Sequence, residues 1–473
     1  MILLMTNKKR TSFITAVCIA ACIILGFTFF LAYANRRLNH PKIETITQAE
    51  MDMARSVYLR ENSRTLQPFS DAPELCIPEA VSNWESTPSR KAVSADLNAR
   101  SAILVNADTG EILLEKNADE QIPPASLTKI VSMYTVFHAI AKGKISFDDR
   151  VNLPPESWAE NIPPGSSLML LHKGQKVTVR ELLLGMSIVS GNDAAIALAD
   201  YVTGSVSQFA ELMNNEMTQL GLQHTRFVEP SGLSEHNITT AREFADFSLV
   251  YIRDYPDALQ TFHSKAYLDY PMPWNVPDGK TAETIRRYAT NQLPKLLPGC
   301  DGLKTGYIDE SGYNLSVTAK RNDTRFIAVT MGGTGTSYYE GKKLRNRDGI
   351  SLMEWAFSNF ETVKPTKIQT APIPVWGGIQ EGCRAIPAGR TAFTRYITEK
   401  TENAVDADIA EKTEIPGSLK APVAAGDIIG WINYYQGAVK IHSVALIADR
   451  SISSGNIIRR VTDTIAAGIS SLF

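Results

Sequence analysis

A serine placed three residues before a lysine, Ser126 and Lys129, is the first pattern in this chain that could do chemistry. On a helix, positions i and i+3 lie on one face, so the two side chains would meet. A serine hydroxyl is a weak nucleophile unless a neighbouring base takes its proton. Lysine can be that base if burial or a nearby cation lowers its pKa. The pair therefore indicates nucleophilic catalysis, although many surface helices carry this pattern by chance.

Two further short motifs could supply partners for this pair. A Ser-Gly-Asn motif begins at Ser190, about 60 residues after the first serine, and a Lys-Thr-Gly motif begins at Lys304, about 110 residues further on. Ser190 can relay a proton toward a leaving amine, and Asn192 can hydrogen-bond a substrate amide. Lys304 can hold a substrate carboxylate by charge, and it is a candidate for the cation beside the first lysine. Gly306 on an edge strand would let a peptide backbone pair as an added strand.

The composition excludes several other classes of protein. The chain has 473 residues, 44% of them hydrophobic and 21% charged, which is typical of a globular protein with two or three domains. A formal net charge of −2, without a basic stripe, argues against a nucleic-acid partner. No His-Glu-x-x-His or Cys-x-x-Cys spacing occurs, so the sequence implies no metal and no cofactor.

Five cysteines are present, and two of them, Cys18 and Cys22, lie in the N-terminal apolar segment. The remaining three, Cys76, Cys300 and Cys383, are an odd number, so at least one is unpaired within the chain. We expect them to be small buried hydrophobic residues. A disulfide between Cys76 and Cys383 is the alternative in an oxidising compartment.

Residues 1–34 combine a basic run at 8–10 with a long apolar run, which predicts an export signal or a membrane anchor. Ala-Tyr-Ala at 32–34 suits cleavage by a signal peptidase, whereas the length of the apolar run suits a retained span. Arginines at 36–37 weaken the charge bias that would orient such a span. The four residues ending at Cys22 resemble a lipidation site. Each of the three alternatives places the bulk of the chain outside the cytoplasm.

The chain is predicted to continue with a spacer at 35–95, which includes a short helix at 49–60, and a domain at 96–362. Apolar runs on either side of turn residues predict a hairpin, and helical periods follow before two late strands. This order favours an α+β domain, an antiparallel sheet flanked by helices. The predicted elements are strands 101–105 and 111–115, helices 126–142, from Thr178 onward and 193–201, and strands 315–319 and 325–331.

The sequence pattern changes near Pro365 to short apolar runs, which predicts a second domain at 365–450. Short apolar runs separated by Gly, Pro and Asp are typical of a small β-sandwich. The tail at 456–473 has the pattern of an amphipathic helix. It is expected either to lie in a membrane interface or to dock on its own β domain.

The residues around the three motifs resemble those of the D-alanyl-D-alanine carboxypeptidase family, which contains low-molecular-mass penicillin-binding proteins. The resemblance is carried by Pro-Ala-Ser-Leu-Thr-Lys at 124–129, by Asp-Gly-Leu-Lys-Thr-Gly at 301–306 and by Ser-Gly-Tyr-Asn-Leu at 311–315. It extends over about 96–473 and implies a β-lactamase/transpeptidase-like catalytic domain followed by the small β-sandwich.

The resemblance implies that Ser126 attacks the penultimate D-alanine of a peptidoglycan stem peptide and forms an acyl-enzyme. The implied substrate-binding residues include Thr305, Gly306 and Tyr307, whose backbone N–H would join that of Ser126 in the oxyanion hole. Arg345 would help bind the substrate carboxylate, and Arg347 is a nearby competitor for this role.

One departure from the family lies directly after the third motif. Tyr307 and Ile308 stand where members often have a small or polar residue and then Thr, which leaves open part of the hydrogen bonding to the carboxylate.

The expected partners are stem peptides ending in D-Ala-D-Ala, β-lactam antibiotics as inhibitors and a membrane surface, at the outer face of the cytoplasmic membrane. The competing hypotheses are a D,D-endopeptidase, a serine β-lactamase and a penicillin-binding scaffold without activity. A class A lactamase needs a Glu-x-x-Leu-Asn segment, and the nearest segment, at 229–233, has the wrong spacing.

Overall fold

The structure is a computed structural model, and it describes residues 7–39, 67–68, 94, 96–365, 372–389, 391–397 and 409–470. The helix expected at 49–60 lies outside these residues, as does Cys76.

The longer helices and the strands of the described residues follow one another in an order that separates two sheets. The helices are α1 (Asn7–Asn39), α2 (Thr128–Ala141), α3 (Val179–Ile188), α4 (Asn192–Thr203), α5 (Val206–Gln219), α6 (Ala241–Asp254), α7 (Leu293–Leu296), α8 (Tyr338–Asn359) and α9 (Ile457–Ser470). The first ten strands are β1 (Gln67–Pro68), β2 (Ser101–Asn106), β3 (Glu111–Lys116), β4 (Arg150–Val151), β5 (Val177–Thr178), β6 (Tyr267–Tyr270), β7 (Ile285–Tyr288), β8 (Cys300–Ile308), β9 (Gly312–Arg321) and β10 (Thr324–Gly333). The others are β11 (Phe360–Val363), β12 (Pro372–Trp376), β13 (Gly382–Pro387), β14 (Phe393–Tyr396), β15 (Ile409–Glu414), β16 (Leu419–Lys420), β17 (Ile428–Gln436) and β18 (Val439–Ala448).

The first sheet has the order β1-β3-β2-β10-β9-β8, and its five long strands pair antiparallel. Both faces of this sheet are apolar. Successive side chains of each strand point to opposite faces, so each strand contributes to both. Ile103 packs into one core with helices α2 to α6, whereas Leu104 packs into a second core with α7 and α8. Helices therefore cover both faces, and the predicted α+β class is confirmed.

Most of the elements predicted from local patterns are present. The hairpin β2–β3, the adjacent strands β9 and β10 and the helices α2 and α4 are confirmed. The capping box of α3 is also confirmed: the Thr178 hydroxyl accepts from the Glu181 N–H at 3.3 Å, and the Glu181 carboxylate accepts from the Thr178 N–H at 2.8 Å. Helices α5 and α6 and the β6–β7 hairpin were not predicted.

The second sheet has the order β15-β17-β18-β13-β12-β16. Its buried face includes Val375, Ile432 and Leu446, and these residues share a core with Phe393 of the separate β11–β14 pair. Two sheets thus enclose one apolar core, which is the arrangement expected of a small β-sandwich.

Helix α9 packs on the edge of this second sheet through one side only. Ala466 is buried against Trp376, and the Asp463 carboxylate accepts a 2.7 Å hydrogen bond from the Gly377 N–H. Its larger apolar side chains remain exposed, and these are Ile457, Ile458, Val461 and Ile465. The helix therefore packs on its own β domain, which was one of the two predicted arrangements. Its exposed apolar side chains are those that the other arrangement, contact with a membrane interface, requires.

Helix α1 contains the one segment of the described residues that is long and apolar enough to cross a bilayer, Ile14–Ala32, with a mean hydropathy of 2.6. Its side chains are exposed from Ile14 to Phe29. Near its end, Phe30 packs against Trp376 and Ala466, so α1 and α9 lie side by side.

The fully buried Leu104 on β2 tests how much the two-faced sheet depends on apolar packing. We expect Leu104→Ala to lower the free energy of unfolding by about 2–5 kcal/mol, because the transfer term and a residual cavity add. Leu296→Ala is the matched control, since Leu296 is 53% exposed and should change stability by less than ~0.5 kcal/mol. Urea unfolding followed by tryptophan fluorescence would measure both, and equal midpoints would contradict the packing described here.

Candidate active site

Ser126 lies in a short 3-10 turn, Ala125–Leu127, directly before α2. This turn places its hydroxyl at the N-terminal end of the helix, where unpaired N–H groups favour negative charge. The Lys129 ammonium lies one turn later and approaches the Ser126 Oγ to 3.0 Å. The structure therefore brings the nucleophile and base expected from the sequence within hydrogen-bond distance.

Lys129 is completely buried, and its Nζ has two further acceptors. The Asn192 side-chain oxygen lies 2.6 Å away and the Ser231 carbonyl 2.5 Å away. Burial lowers the pKa of Lys129 to about 7, even though the carboxylates of Glu229 and Asp193 act in the opposite direction. A substantial fraction of this lysine is thus neutral near pH 7 and able to accept a proton.

The second lysine of the site, Lys304 on β8, is also buried. Its Nζ donates to the Ser190 Oγ at 2.9 Å and to the Thr305 carbonyl at 3.0 Å. Burial lowers the pKa of Lys304 well below its ordinary value, and repulsion from Lys129 and Arg345 adds to this effect. An anionic ligand beside Lys304 would favour its protonated form again.

The sequence suggested Lys304 as the cation that lowers the pKa of Lys129. In the structure the main cause for both lysines is burial, and their mutual repulsion is expressed mainly in the pKa of Lys304. The two ammonium groups are linked to Ser126 and Ser190, one each, so two proton-transfer pairs lie within one cleft.

Strand β8 is the edge strand of the first sheet, as expected for a site that pairs with a substrate backbone. Gly306 lies on it where the strand passes the nucleophile turn. A Cβ at this position would lie 2.7 Å from the Pro124 carbonyl oxygen and 3.1 Å from the Ser126 nitrogen. Only glycine therefore lets the strand and the nucleophile turn approach this closely.

The structure distinguishes the two arginines of α8. Arg345 is buried, lines the cleft and has an Nε without a hydrogen-bond partner among the described residues. Burial lowers the pKa of its guanidinium to about 10. Arg347 instead donates to the Asp96 carbonyl and to the Asp348 carboxylate. Arg345 is thus the arginine available to an anionic ligand.

Aromatic rings form the outer wall beside this arginine. The Tyr307 ring lies 4.4 Å from that of Tyr313 and 5.9 Å from that of Tyr338, measured between centroids. The Tyr307 hydroxyl donates to Asp309 at 2.6 Å. Ile308 brings only an alkyl side chain to the cleft, so the hydroxyl expected one residue after Tyr307 has no counterpart there.

The opposite wall is a loop at 163–171 that the sequence analysis did not identify. The Asp193 carboxylate, next to the second motif, accepts hydrogen bonds of 2.7–3.0 Å from the N–H groups of Met169, Leu170 and Leu171. This carboxylate therefore fixes the loop against α4. The enclosed cleft has a volume of 560 Å³ and extends from the nucleophile to Arg345.

Glu229 was also missed as a contributor to the site. Its carboxylate accepts from the Ser231 and Gly232 N–H groups at 2.7 and 2.6 Å and from the Asn237 amide at 2.8 Å. This turn presents the Ser231 carbonyl to Lys129. The signal in the sequence is the Glu-Pro-Ser-Gly segment at 229–232, whose residue types are typical of a turn that a side-chain carboxylate stabilises.

Cys300 and Cys383 are buried, as expected, and both thiols are free. Burial raises the pKa of each thiol to about 12, so neither is readily ionised. Cys300 is the first residue of β8 and lies four residues before Lys304 on that strand.

A comparison with protein families matches residues 86–335 to the model described as D-alanyl-D-alanine carboxypeptidase, a serine peptidase family. The chain belongs to this family. The resemblance inferred from the motifs is therefore confirmed, and with it the chain's place among serine-type carboxypeptidases.

Relatives in Escherichia coli and Haemophilus influenzae are similar to this chain in sequence and fold. The D-alanyl-D-alanine carboxypeptidase DacA of Escherichia coli K12 is 31% identical over 387 residues, which cover 78% of this chain and 87% of the relative. DacC of the same organism is 33% identical and covers 78% and 88%. The crystal structure of penicillin binding protein 5 from Haemophilus influenzae has a TM-score of 0.63 at 30% identity and covers 76% and 98%.

The contacts of Glu229 predict that its substitution will slow acylation of the enzyme, although Glu229 lies outside the three motifs. We expect Glu229→Gln to slow acylation by penicillin about tenfold to a hundredfold, because an amide N–H would face the N–H donors and displace the Ser231 carbonyl. Glu235→Gln, at an exposed position in the same segment, should be neutral. Stopped-flow acylation of the two variants measures this, and equal rates would remove Glu229 from the site.

Proposed function

We propose that this chain removes the terminal D-alanine from peptidoglycan stem peptides through an acyl-enzyme on Ser126. The observation that carries the proposal is the pairing of each lysine with a serine in one cleft: Lys129 with Ser126 at 3.0 Å and Lys304 with Ser190 at 2.9 Å. Nucleophilic attack and departure of an amine each need a proton transfer, and each pair can serve one of them.

Acylation begins when neutral Lys129 takes the proton of the Ser126 hydroxyl. The oxygen attacks the carbonyl carbon of the penultimate D-alanine, and the amide bond to the terminal residue breaks as an ester to Ser126 forms. Ser190, linked to Lys304, passes a proton to the departing amine, so the terminal D-alanine leaves as a neutral-amine species that water can protonate.

The developing oxyanion would be bound by the backbone N–H groups of Ser126 and Tyr307. These groups lie where β8 passes the nucleophile turn, and Gly306 allows the approach. The substrate backbone would add to the free edge of β8, while the Asn192 amide group would bind a substrate amide. Positioning of this kind converts the attack into a step within one complex.

The carboxylate of the terminal residue would lie between Lys304 and Arg345. The buried Nε of Arg345 has no acceptor among the described residues, and Lys304 is buried where an anion would stabilise its charged form. Thr305, buried on the same strand, is the nearest residue of the third motif that can add a hydroxyl. A free C-terminal carboxylate is thus the feature that the cleft would recognise.

Once Lys129 has released to solvent the proton taken from Ser126, it takes a proton from a water molecule that attacks the ester carbonyl. The ester bond to Ser126 then breaks, Lys129 returns the proton to the Ser126 oxygen, and the shortened peptide leaves with a free carboxylate. A β-lactam would follow the first half of this sequence, because attack on its ring amide opens the ring and leaves an ester on Ser126. Penicillin binding follows from the same chemistry as peptide cleavage.

We further propose that the catalytic domain works at the outer surface of the cytoplasmic membrane. The apolar segment of α1 supports export or anchoring, and the exposed isoleucines of α9 support contact with a membrane interface. Whether residues 1–34 are cleaved, retained or lipidated stays a prediction of the sequence, as do the boundaries of the spacer and domains.

The competing serine β-lactamase lacks an observation that favours it. A class A lactamase needs a glutamate free to activate the deacylating water, whereas the Glu229 carboxylate is occupied by the backbone of its own turn. A D,D-endopeptidase would use the same residues on a longer substrate, and the comparison of substrates with and without a cross-linked leaving group separates the two.

The decisive experiment compares Ser126→Ala with wild type on a pentapeptide ending in D-Ala-D-Ala. We expect release of D-alanine to fall at least ~10³-fold, together with loss of covalent penicillin labelling, because no other group can form the ester. Ser351→Ala, at an exposed position of α8, is the matched control and should keep full activity. Release of D-alanine by Ser126→Ala would show that the nucleophile is elsewhere.

The lowered pKa of Lys129 predicts the pH dependence of acylation. The neutral form is the base, so the acylation rate constant should rise about tenfold per pH unit below pH ~7 and level off above it. Stopped-flow measurements with penicillin between pH 5 and 9 test this, with circular dichroism at each pH as the control for folding. A rate constant that does not change between pH 5.5 and 7 would exclude Lys129 as the base.

A further inference from the structure

Two cationic side chains, Arg345 and Lys342, line the cleft, and the buried Lys129 and Lys304 contact its serines from behind. Lys304 is repelled by Lys129 and Arg345, and Lys342 is repelled by Arg345. The proposed mechanism uses Lys129, Lys304 and Arg345. Lys342 has no role in it so far.

Lys342 is held toward the cleft by its surroundings. It lies three residues before Arg345 on α8, so the two side chains leave the same face of the helix. Its Nζ lies 5.1 Å from the centroid of the Tyr338 ring, at a distance typical of a cation–π contact. The next residue, Lys343, is exposed and is not among the residues that line the cleft.

No carboxylate neutralises Lys342 within the part of the chain that the structure describes. Its pKa is lowered by burial first and by Arg345 second, and no acidic side chain raises it. Arg345 likewise keeps an Nε without a partner in these residues. Two neighbouring cations, both partly or fully removed from water and both facing one cavity, form a site that is complementary to an anion.

The residues that follow the third motif offer few hydrogen-bond donors to a substrate carboxylate. Ile308 offers no hydroxyl to a carboxylate, and the Tyr307 hydroxyl is already donated to Asp309. A carboxylate has about four lone-pair sites, so it can accept from a further donor besides Lys304, Thr305 and Arg345.

We infer that Lys342 is a further cation of the subsite for the C-terminal carboxylate of the substrate, beside Arg345 and Lys304, with Tyr338 holding Lys342 in place. Lys342 is then a specificity-determining residue that selects a free carboxylate over an uncharged C-terminus. This inference rests on the carboxypeptidase function proposed above, and it adds a residue on α8 to the substrate contacts made by β8.

The test uses the full-length chain and two peptides of the same sequence, one ending in D-Ala-D-Ala with a free carboxylate and one with its C-terminal amide. For the free acid, Lys342→Met should raise KM roughly 5- to 20-fold and leave kcat within about twofold, because the interaction is made in the ground state and the transition state alike. The low rate on the amide should not change, so the preference for the acid shrinks by the same factor.

Matched variants separate charge from packing. Lys343→Met removes an adjacent lysine that faces away from the cleft and should leave KM within about twofold. Lys342→Arg keeps the charge and should restore most of the affinity, whereas Tyr338→Leu should give an intermediate KM because the ring no longer aims the ammonium group. Full labelling by saturating penicillin shows that each variant is folded.

An unchanged KM in Lys342→Met, an equal effect of Lys343→Met, or a fall in kcat at constant KM would overturn the subsite. These results differ from a failure of the proposed function. If wild type releases no D-alanine from the free acid, the carboxypeptidase assignment itself fails, whereas active wild type with a silent Lys342→Met rejects the subsite alone.

Discussion

Two lysines buried within one cleft are the constraint on which the rest of the catalytic domain depends. Removing an ammonium group from water is costly, and it becomes tolerable only where the group has hydrogen-bond acceptors or can lose its proton. Lys129 has three acceptors, Ser126, Asn192 and Ser231, drawn from three separate segments of the chain. The helix α2, the start of α4 and the turn before α6 must therefore meet at one point.

The same constraint explains why the supporting residues are themselves buried and charged. Asp193 fixes the loop opposite the nucleophile, and Glu229 fixes the turn that offers a carbonyl to Lys129. Asp193 accepts from backbone N–H groups, and Glu229 accepts from backbone N–H groups and from the side chains of Ser231 and Asn237. Both carboxylates thus shape the cleft rather than take part in proton transfer. Their charges also limit how far the pKa of Lys129 falls.

The sequence predicted the chemistry better than the walls around it. Ser126, Lys129, Ser190, Asn192 and Lys304 were identified because their types and order are typical of one reaction, and the structure brings them together. Local patterns likewise predicted β2, β3, β9 and β10. The loop at 163–171 and the Glu229 turn were missed, because their importance lies in contacts across more than 20 residues or in hydrogen bonds to backbone, which leave no periodicity to read. Sequence spacing could not distinguish Arg345 from Arg347. The distinction depends on which side chain is buried at the cleft, and this is known only from the structure.

The unpartnered Nε of Arg345 has a thermodynamic consequence for the whole domain. Among the described residues this Nε is a buried donor that has no acceptor, and a donor left in this way lowers the stability of a fold. A carboxylate bound beside Arg345 would supply an acceptor, and its binding free energy would then contribute to folding stability as well. Occupancy of the cleft by such an anion and the resistance of the domain to unfolding would thus be linked quantities.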